Sequence, residues 1–193
     1  MTSPSATHKI AIFGHVSAMP QALADAFGGY VAKDVDSTID AALFGINPAA
    51  GIDQETINQW QAVGEYQIPR ALLVVGLEGS DADFDDAVLL ANRVLDSVVT
   101  PYLVLHGDNG EPIALISLVD LKIHDYTTNP PTIRDSDPEH KELVKDFQSE
   151  YLEITDGIGD DAFAAGILFP AIPIVLGKNI GVDIVKNYLQ QLN

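Results

Sequence analysis

Gly14-His15-Val16-Ser17-Ala18-Met19-Pro20-Gln21 follows the apolar run Lys9 to Phe13 and opens onto Ala22-Leu23-Ala24. That is the strand, loop and helix order in which a phosphate-binding loop sits. The pattern G-x-x-x-x-G-K-[ST] needs a second glycine for close backbone approach, a lysine on the terminal phosphates and a hydroxyl on Mg²⁺. Counted from Gly14, those positions hold Met19, Pro20 and Gln21. A proline at the lysine position removes both an N–H and an ammonium. A glutamine amide is a poorer ligand for a hard cation than the water network it displaces. If three charge-assisted contacts of about 2 kcal/mol each are gone, the loss is about 6 kcal/mol, on the order of 10⁴-fold in affinity. The stretch predicts a nucleotide-binding ancestry without a working nucleotide site.

Outward from this loop, apolar runs alternate with amphipathic ones, as a parallel sheet with crossover helices requires. Strands are expected at Lys9 to Phe13, Ala41 to Ile46, Pro69 to Gly76 and Ala171 to Leu176. Helices are expected at Pro20 to Phe27, stopped by Gly28-Gly29, and at Asp53 to Gly64, Asp83 to Val98 and Val182 to Leu192, with a short one at Asp160 to Leu168. The third shows Ala87, Val88, Leu90, Ala91, Val94 and Leu95 on one face. The middle of the chain changes character. Tyr102 to Leu105 and Ile113 to Leu121 flank Asp108-Asn109-Gly110, a hairpin signal because Asn-Gly tolerates the positive φ of tight turns. Thr127 to Pro138, with prolines at 130, 131 and 138, reads as a surface loop, and Glu139 to Glu153 as a charged helix. Residues 102–153 therefore look like an insertion in a single α/β domain spanning 1–193.

Composition bounds the function classes. With 193 residues, 47% of them hydrophobic, the chain can bury one sizeable core. Ten Lys and Arg against 28 Asp and Glu leave a net charge of −18, which disfavours contact with nucleic-acid phosphates or anionic lipid. The absence of Cys excludes a disulfide framework, a thiolate metal site and a cysteine nucleophile. Met1 to His8 lack a basic start followed by an apolar run, and no stretch approaches the roughly 20 apolar residues of a membrane span. A soluble cytoplasmic protein is expected.

The order and flanks of these segments resemble the G domain of elongation factor G with its inserted subdomain. Gly14-His15-Val16 is similar to the start of that family's G-H-V-D-A-G-K-T loop, and Ala49-Ala50-Gly51-Ile52 with Gln54-Glu55-Thr56 to its D-A-V-A-G-V-x-x-Q-T-E-T stretch. Ile68-Pro69-Arg70 and Ala82-Asp83-Phe84 resemble the flanks of its N-K-x-D motif, Tyr102 to Lys122 the opening strands of its insertion, and Gly181-Val182 through Tyr188-Leu189 its last helix. The N-K-x-D motif falls without gaps on Val75-Gly76-Leu77-Glu78, so that only Glu78 keeps a carboxylate, and G-S-A-L is reduced to Gly177 followed by Lys178. Between the first helix and Ala41 only Gly28 to Asp40 remain where the family has its two switch segments. Asp34 and Asp36 are the candidate acids there for Mg²⁺, Asp40 standing directly before the next strand, and the water-orienting histidine has no counterpart.

Other constellations carry less. Asp81, Asp83, Asp85 and Asp86 suggest a calcium loop, but its sixth and twelfth positions hold Asp86 and Asn92 instead of glycine and glutamate, and a helix-start acid cluster explains them. His8, His15, His106, His124 and His140 lack metal-pair spacing. No G-x-S-x-G elbow places a serine nucleophile. Trp60 reads as core or as a partner anchor.

The expected fold is thus a P-loop-NTPase-like three-layer α/β sandwich with a mostly parallel sheet, an inserted α+β hairpin and helix, and a truncated switch region. The resemblance implies a pseudo-GTPase without GTP, GDP or Mg²⁺ as working cofactors, and its vestigial site is residues 14–21, Val75, Gly76, Glu78, Gly177 and Lys178. It also implies a protein partner, the ribosomal stalk, engaged through residues 102–153. Without the family's later domains, translocation is not expected. An atypical GTP or GDP binder and a homo-oligomeric structural domain are the competing readings.

Overall fold

The computed structural model describes residues 7–79 and 83–192. Residues 1–6 of the Met1 to His8 leader reading, Asp81 of the calcium reading and Ala82 of the N-K-x-D flank lie outside the described residues. Five strands form one sheet: β1 (Ile10–Phe13), β2 (Tyr30–Val31), β3 (Ala41–Ile46), β4 (Arg70–Val74) and β9 (Ala171–Pro173), in the order β2-β1-β3-β4-β9 with every pairing parallel. Strands covered on both faces read as near-continuous apolar runs, and β1, β3 and β4 are buried at every residue, with Arg70 at the start of β4 the charged exception.

Helices α1 (Pro20–Phe27), α2 (Gln54–Glu65), α3 (Phe84–Val94) and α5 (Val182–Leu189) accompany this sheet. Pro20 occupies the first turn of α1, where its missing N–H is no loss, and Gly28 ends the helix at φ +67°. Asp53 and Asp83 cap α2 and α3 by accepting the N–H of Thr56 and Asp86 at 2.9 Å. An aromatic ladder joins α2 to the sheet: Phe13 stacks on Phe44 at 5.0 Å, Phe44 meets Trp60 at 4.9 Å, and Trp60 meets Phe169 at 5.8 Å. Beside it lies Arg70, whose guanidinium sits 4.0 Å from the Phe169 ring centroid and donates to Asp96 at 3.1 Å.

A separate antiparallel sheet holds β5 (Tyr102–His106), β6 (Pro112–Ser117), β7 (Lys122–Asp125) and β8 (Thr132–Asp135), in sequence order, and is followed by α4 (Pro138–Thr155). Alternation along β5 divides its side chains: Tyr102 and Val104 pack on the main core, Leu103 and Leu105 on a second core of Ala114, Ile116, Leu118, Ile123 and Val144. The chain leaves for this unit and returns from it side by side, since Val99 N–H donates to Phe169 O and Ala171 N–H to Val99 O.

Four expectations are corrected. The hairpin is half of a four-stranded meander, and β8 lies inside the stretch read as loop; it is exposed at every residue and so carries no alternating pattern. The gap before Ala41 holds the two-residue strand β2. The third helix ends at Val94 instead of Val98, because Asn92 Oδ1 accepts Val98 N–H at 2.8 Å and turns the chain. Residues 160–166 of the stretch 160–168 form successive turns, not a helix. They close at Gly166 (φ +68°), where a Cβ would lie 2.4 Å from Gln67 O.

Candidate functional site

In an open parallel sheet, ligands gather beyond the carboxyl ends of the strands where the strand order reverses. Here that point lies between β1 and β3, since the chain passes from β1 to β2 on one side and then to β3 and β4 on the other. The loop after β1 begins at Gly14, with φ +139°, where a Cβ would stand 2.4 Å from Gly45 O, so only glycine fits. His15 then caps a 3₁₀ turn at Val16–Ala18. Its Nδ1 accepts the N–H of Ser17 at 3.2 Å and lies 2.9 Å from Ser17 Oγ.

The loop spends its donors on itself. Ala18 N–H donates to His15 O at 2.8 Å and Met19 N–H to Val16 O at 3.0 Å. Pro20 has no N–H, and Met19 takes a left-handed conformation (φ +53°). Gln21 directs its amide to Asp25 Oδ1 at 2.9 Å, along α1. A phosphate cradle needs successive N–H groups pointing into one concavity, and those of residues 17, 18 and 19 are committed to partners within the loop. Val16 is 77% exposed.

The residue that organises this end of the sheet is one that sequence reasoning missed. Asn47, just past β3, donates from Nδ2 to Ser17 O at 3.1 Å and accepts Ala49 N–H at Oδ1. A Cβ on Gly76 (φ +74°) would meet its amide at 2.7 Å. Asn47 therefore stands between the loop of residues 14–21 and the segment Val75-Gly76-Leu77-Glu78, in which Val75 is buried and Glu78 exposed. A polar residue ending an unbroken apolar strand at this position was the available signal.

The remaining predicted residues do not converge there. Gly177 lies in a 3₁₀ turn, and Lys178 Nζ donates to Glu111 Oε2 at 3.0 Å and to Pro112 O at 3.2 Å, both in the antiparallel unit. Asp36 accepts the Thr38 hydroxyl and N–H, which hold its carboxyl below the usual range. Asp53 is lowered chiefly by the Thr56 hydroxyl. Among the described residues no three acidic or histidine side chains gather to hold a metal ion.

A second feature lies between α3 and α4. A groove of about 500 Å³ is floored by Val88, Val98 and Leu103, walled by Leu89, Phe147 and Ile154, and edged by Asp85 and Glu150. Leu89, Phe147 and Ile154 are 64%, 46% and 49% exposed, and Leu143, at 70%, extends the same face of α4. Burial and the neighbouring Asp83 and Asp86 carboxylates push the Asp85 carboxyl up. Val144 packs on the second core, so α4, read from sequence as merely charged, is apolar on two faces.

No protein-family model matches the chain. It is 25% identical over 166 residues to the elongation factor G-like protein of Mycobacterium tuberculosis, covering 74% of this chain and 22% of the relative. It is 21% identical over 154 residues to elongation factor G of Mycoplasma genitalium, covering 79% and 21%, and thus spans about a fifth of the length of these relatives. In fold it matches the crystal structure of ttk003000868 from Thermus thermophilus, with a TM-score of 0.74 at 16% identity over 96% of this chain and 40% of that one. No helix of the described residues is long and apolar enough to cross a membrane. At low identity and over most of its length, this chain is related to elongation factor G.

Proposed function

We propose that this chain is a cytoplasmic pseudo-GTPase, an elongation-factor-G-like G domain of P-loop ancestry that works through protein contact instead of nucleotide. The observation that carries the reading is the self-satisfied loop. The N–H groups of Ser17, Ala18 and Met19 are spent internally and residue 20 has neither N–H nor ammonium. A phosphate cradle is a concavity lined by successive N–H groups, and here those groups turn to partners within the loop.

The partner face is the α3–α4 groove beside the inserted residues 102–153. Its apolar walls and acidic edge suit a partially basic protein, and the relatives' names direct the search toward translation, with the ribosomal stalk first. The competing reading, atypical GTP or GDP binding, separates in one measurement. A Kd near 1 μM at millimolar nucleotide with Mg²⁺ adds about 4 kcal/mol and raises Tm by about 8 °C or more. The proposal requires no such rise. It also requires that purified ribosomes titrated onto the labelled chain bind it, and that Phe147→Asp weakens that binding. Homo-oligomerisation through the exposed edge at Tyr30 and Val31 would show instead as a doubled mass by light scattering.

A further inference from the structure

Besides the packing of Tyr102, Val104, Leu115 and Tyr126 on the main core, the antiparallel unit is hydrogen-bonded to the parallel layer at two places on opposite ends of β9. At the start of β9 the outgoing and returning chain segments pair, Val99 with Phe169 and Ala171. Beyond its end, Val175 and Ile180 exchange both backbone hydrogen bonds, at 3.2 and 3.1 Å, and close a rigid loop. Inside it Asn179 turns at φ +55°. At Gly181 (φ +78°) a Cβ would stand 2.1 Å from Pro173 O, which pins the segment to the sheet.

Two polar arms leave this pinned segment, and both end on the antiparallel unit. Lys178 Nζ reaches Glu111 Oε2 and Pro112 O, at the β5–β6 turn. Asp183, in the first turn of α5, accepts the Tyr126 hydroxyl at 2.6 Å. Tyr126 is only 8% exposed, with its ring in the main core, and its N–H donates to Ile113 O, which ties its backbone to β6. We infer that residues 178–183 are a latch and that the paired segments 98–101 and 169–170 are the hinge, so that protein contacts made by the loop after β9 set the pose of the antiparallel unit. Because α3 belongs to the parallel layer and α4 to the unit, the same latch sets the width of the groove between them. That consequence rests on the reading of the groove as a docking face; the latch itself does not.

The chain has no Cys, so two introduced cysteines can be spin-labelled without background. Glu55→Cys on α2 and Glu139→Cys on α4 are exposed positions on the two bodies. Pulsed dipolar spectroscopy should give one narrow distance distribution with the latch intact. Adding Lys178→Met and Tyr126→Phe together should broaden it about twofold, while Lys186→Met, on α5 outside the latch, should not. Tyr126→Phe alone keeps the ring in the core and should give part of the broadening if the double variant is too unstable to measure. An unchanged distribution in the latch variants overturns the inference. Tight GTP binding by the wild-type chain would sink the proposed function and leave this measurement standing.

Discussion

Replacing Asn47 by Asp keeps the side chain's shape while exchanging an amide NH₂ for an ionisable carboxyl oxygen, and so isolates what the donor does at the carboxyl end of β3. Nδ2 donates to Ser17 O at 3.1 Å. Aspartate loses that donor, about 1 kcal/mol for an ordinary hydrogen bond. Its carboxylate then faces a carbonyl oxygen in a half-buried position, an acceptor against an acceptor, which costs on the order of another 1–2 kcal/mol. The expected loss near pH 7.5 is about 2–3 kcal/mol, or roughly 4–12 °C in Tm for a chain of this length. Protonation restores a donor, so the folded-state pKa of the new carboxyl stands above its unfolded value of about 3.9. The folded chain then binds more protons than the unfolded one between those two pKa values, and stability falls as pH rises through that window. Calorimetry of variant and wild type at matched pH values from 4.5 to 8 should show a Tm difference that is smallest at the acid end and widens toward neutrality. A difference that is flat with pH, or largest in acid, would refute the placement of Asn47 against the loop carbonyl.

Gly14→Ala should cost more than about 3 kcal/mol, since it combines a clash 2.4 Å from Gly45 O with a positive φ; urea denaturation checks it, and a loss under 1 kcal/mol would contradict the packing of β1 against β3. Asp96→Ala removes the acceptor shared by the Trp60 Nε1–H and the Arg70 guanidinium. With Asp96 half exposed, the expected loss is about 2–3 kcal/mol, and Arg70→Met should cost less because it leaves no cation buried. Restoring the side chains of a phosphate loop by Met19→Gly, Pro20→Lys and Gln21→Thr together should still leave the GTP-dependent rise in Tm below about 3 °C, because the 3₁₀ turn keeps its N–H groups; a rise above 8 °C would show that the turn opens freely. Phe147→Asp should change Tm by less than about 2 °C, as an exposed position allows.

The parallel layer was legible because its signals are local. Ala41 to Ile46 is apolar at every position, Pro20 and Gly28 bracket α1, and Asp53 and Asp83 precede the helices they cap, so strand, start and stop are each written within a few residues. What failed were the elements whose identity is decided across space. β2 and β8 are edge strands whose pairing partners, β1 and β7, supply the reason for their conformation. Residues 160–168 have the composition of a helix, yet Gly166 packs against Gln67 O nearly a hundred positions away and sets their shape.

The same distinction explains the site. Three side chains of the phosphate-loop pattern are missing, at Met19, Pro20 and Gln21. Where the surviving groups point is decided by their partners in the fold and is not written in the pattern. Lys178 stands where the family's G-S-A-L would fall and read as a remnant contact, but its ammonium is taken by Glu111 in the turn between β5 and β6. Ser17 kept a hydroxyl and an N–H in the loop, and both turn to His15. Once a loop's donors are satisfied internally, a ligand must break those bonds before it can form its own, so a reversion of side chains alone meets a barrier that the sequence does not display. The loss of nucleotide chemistry proposed for this chain is therefore held as much by hydrogen bonds gained as by residues lost.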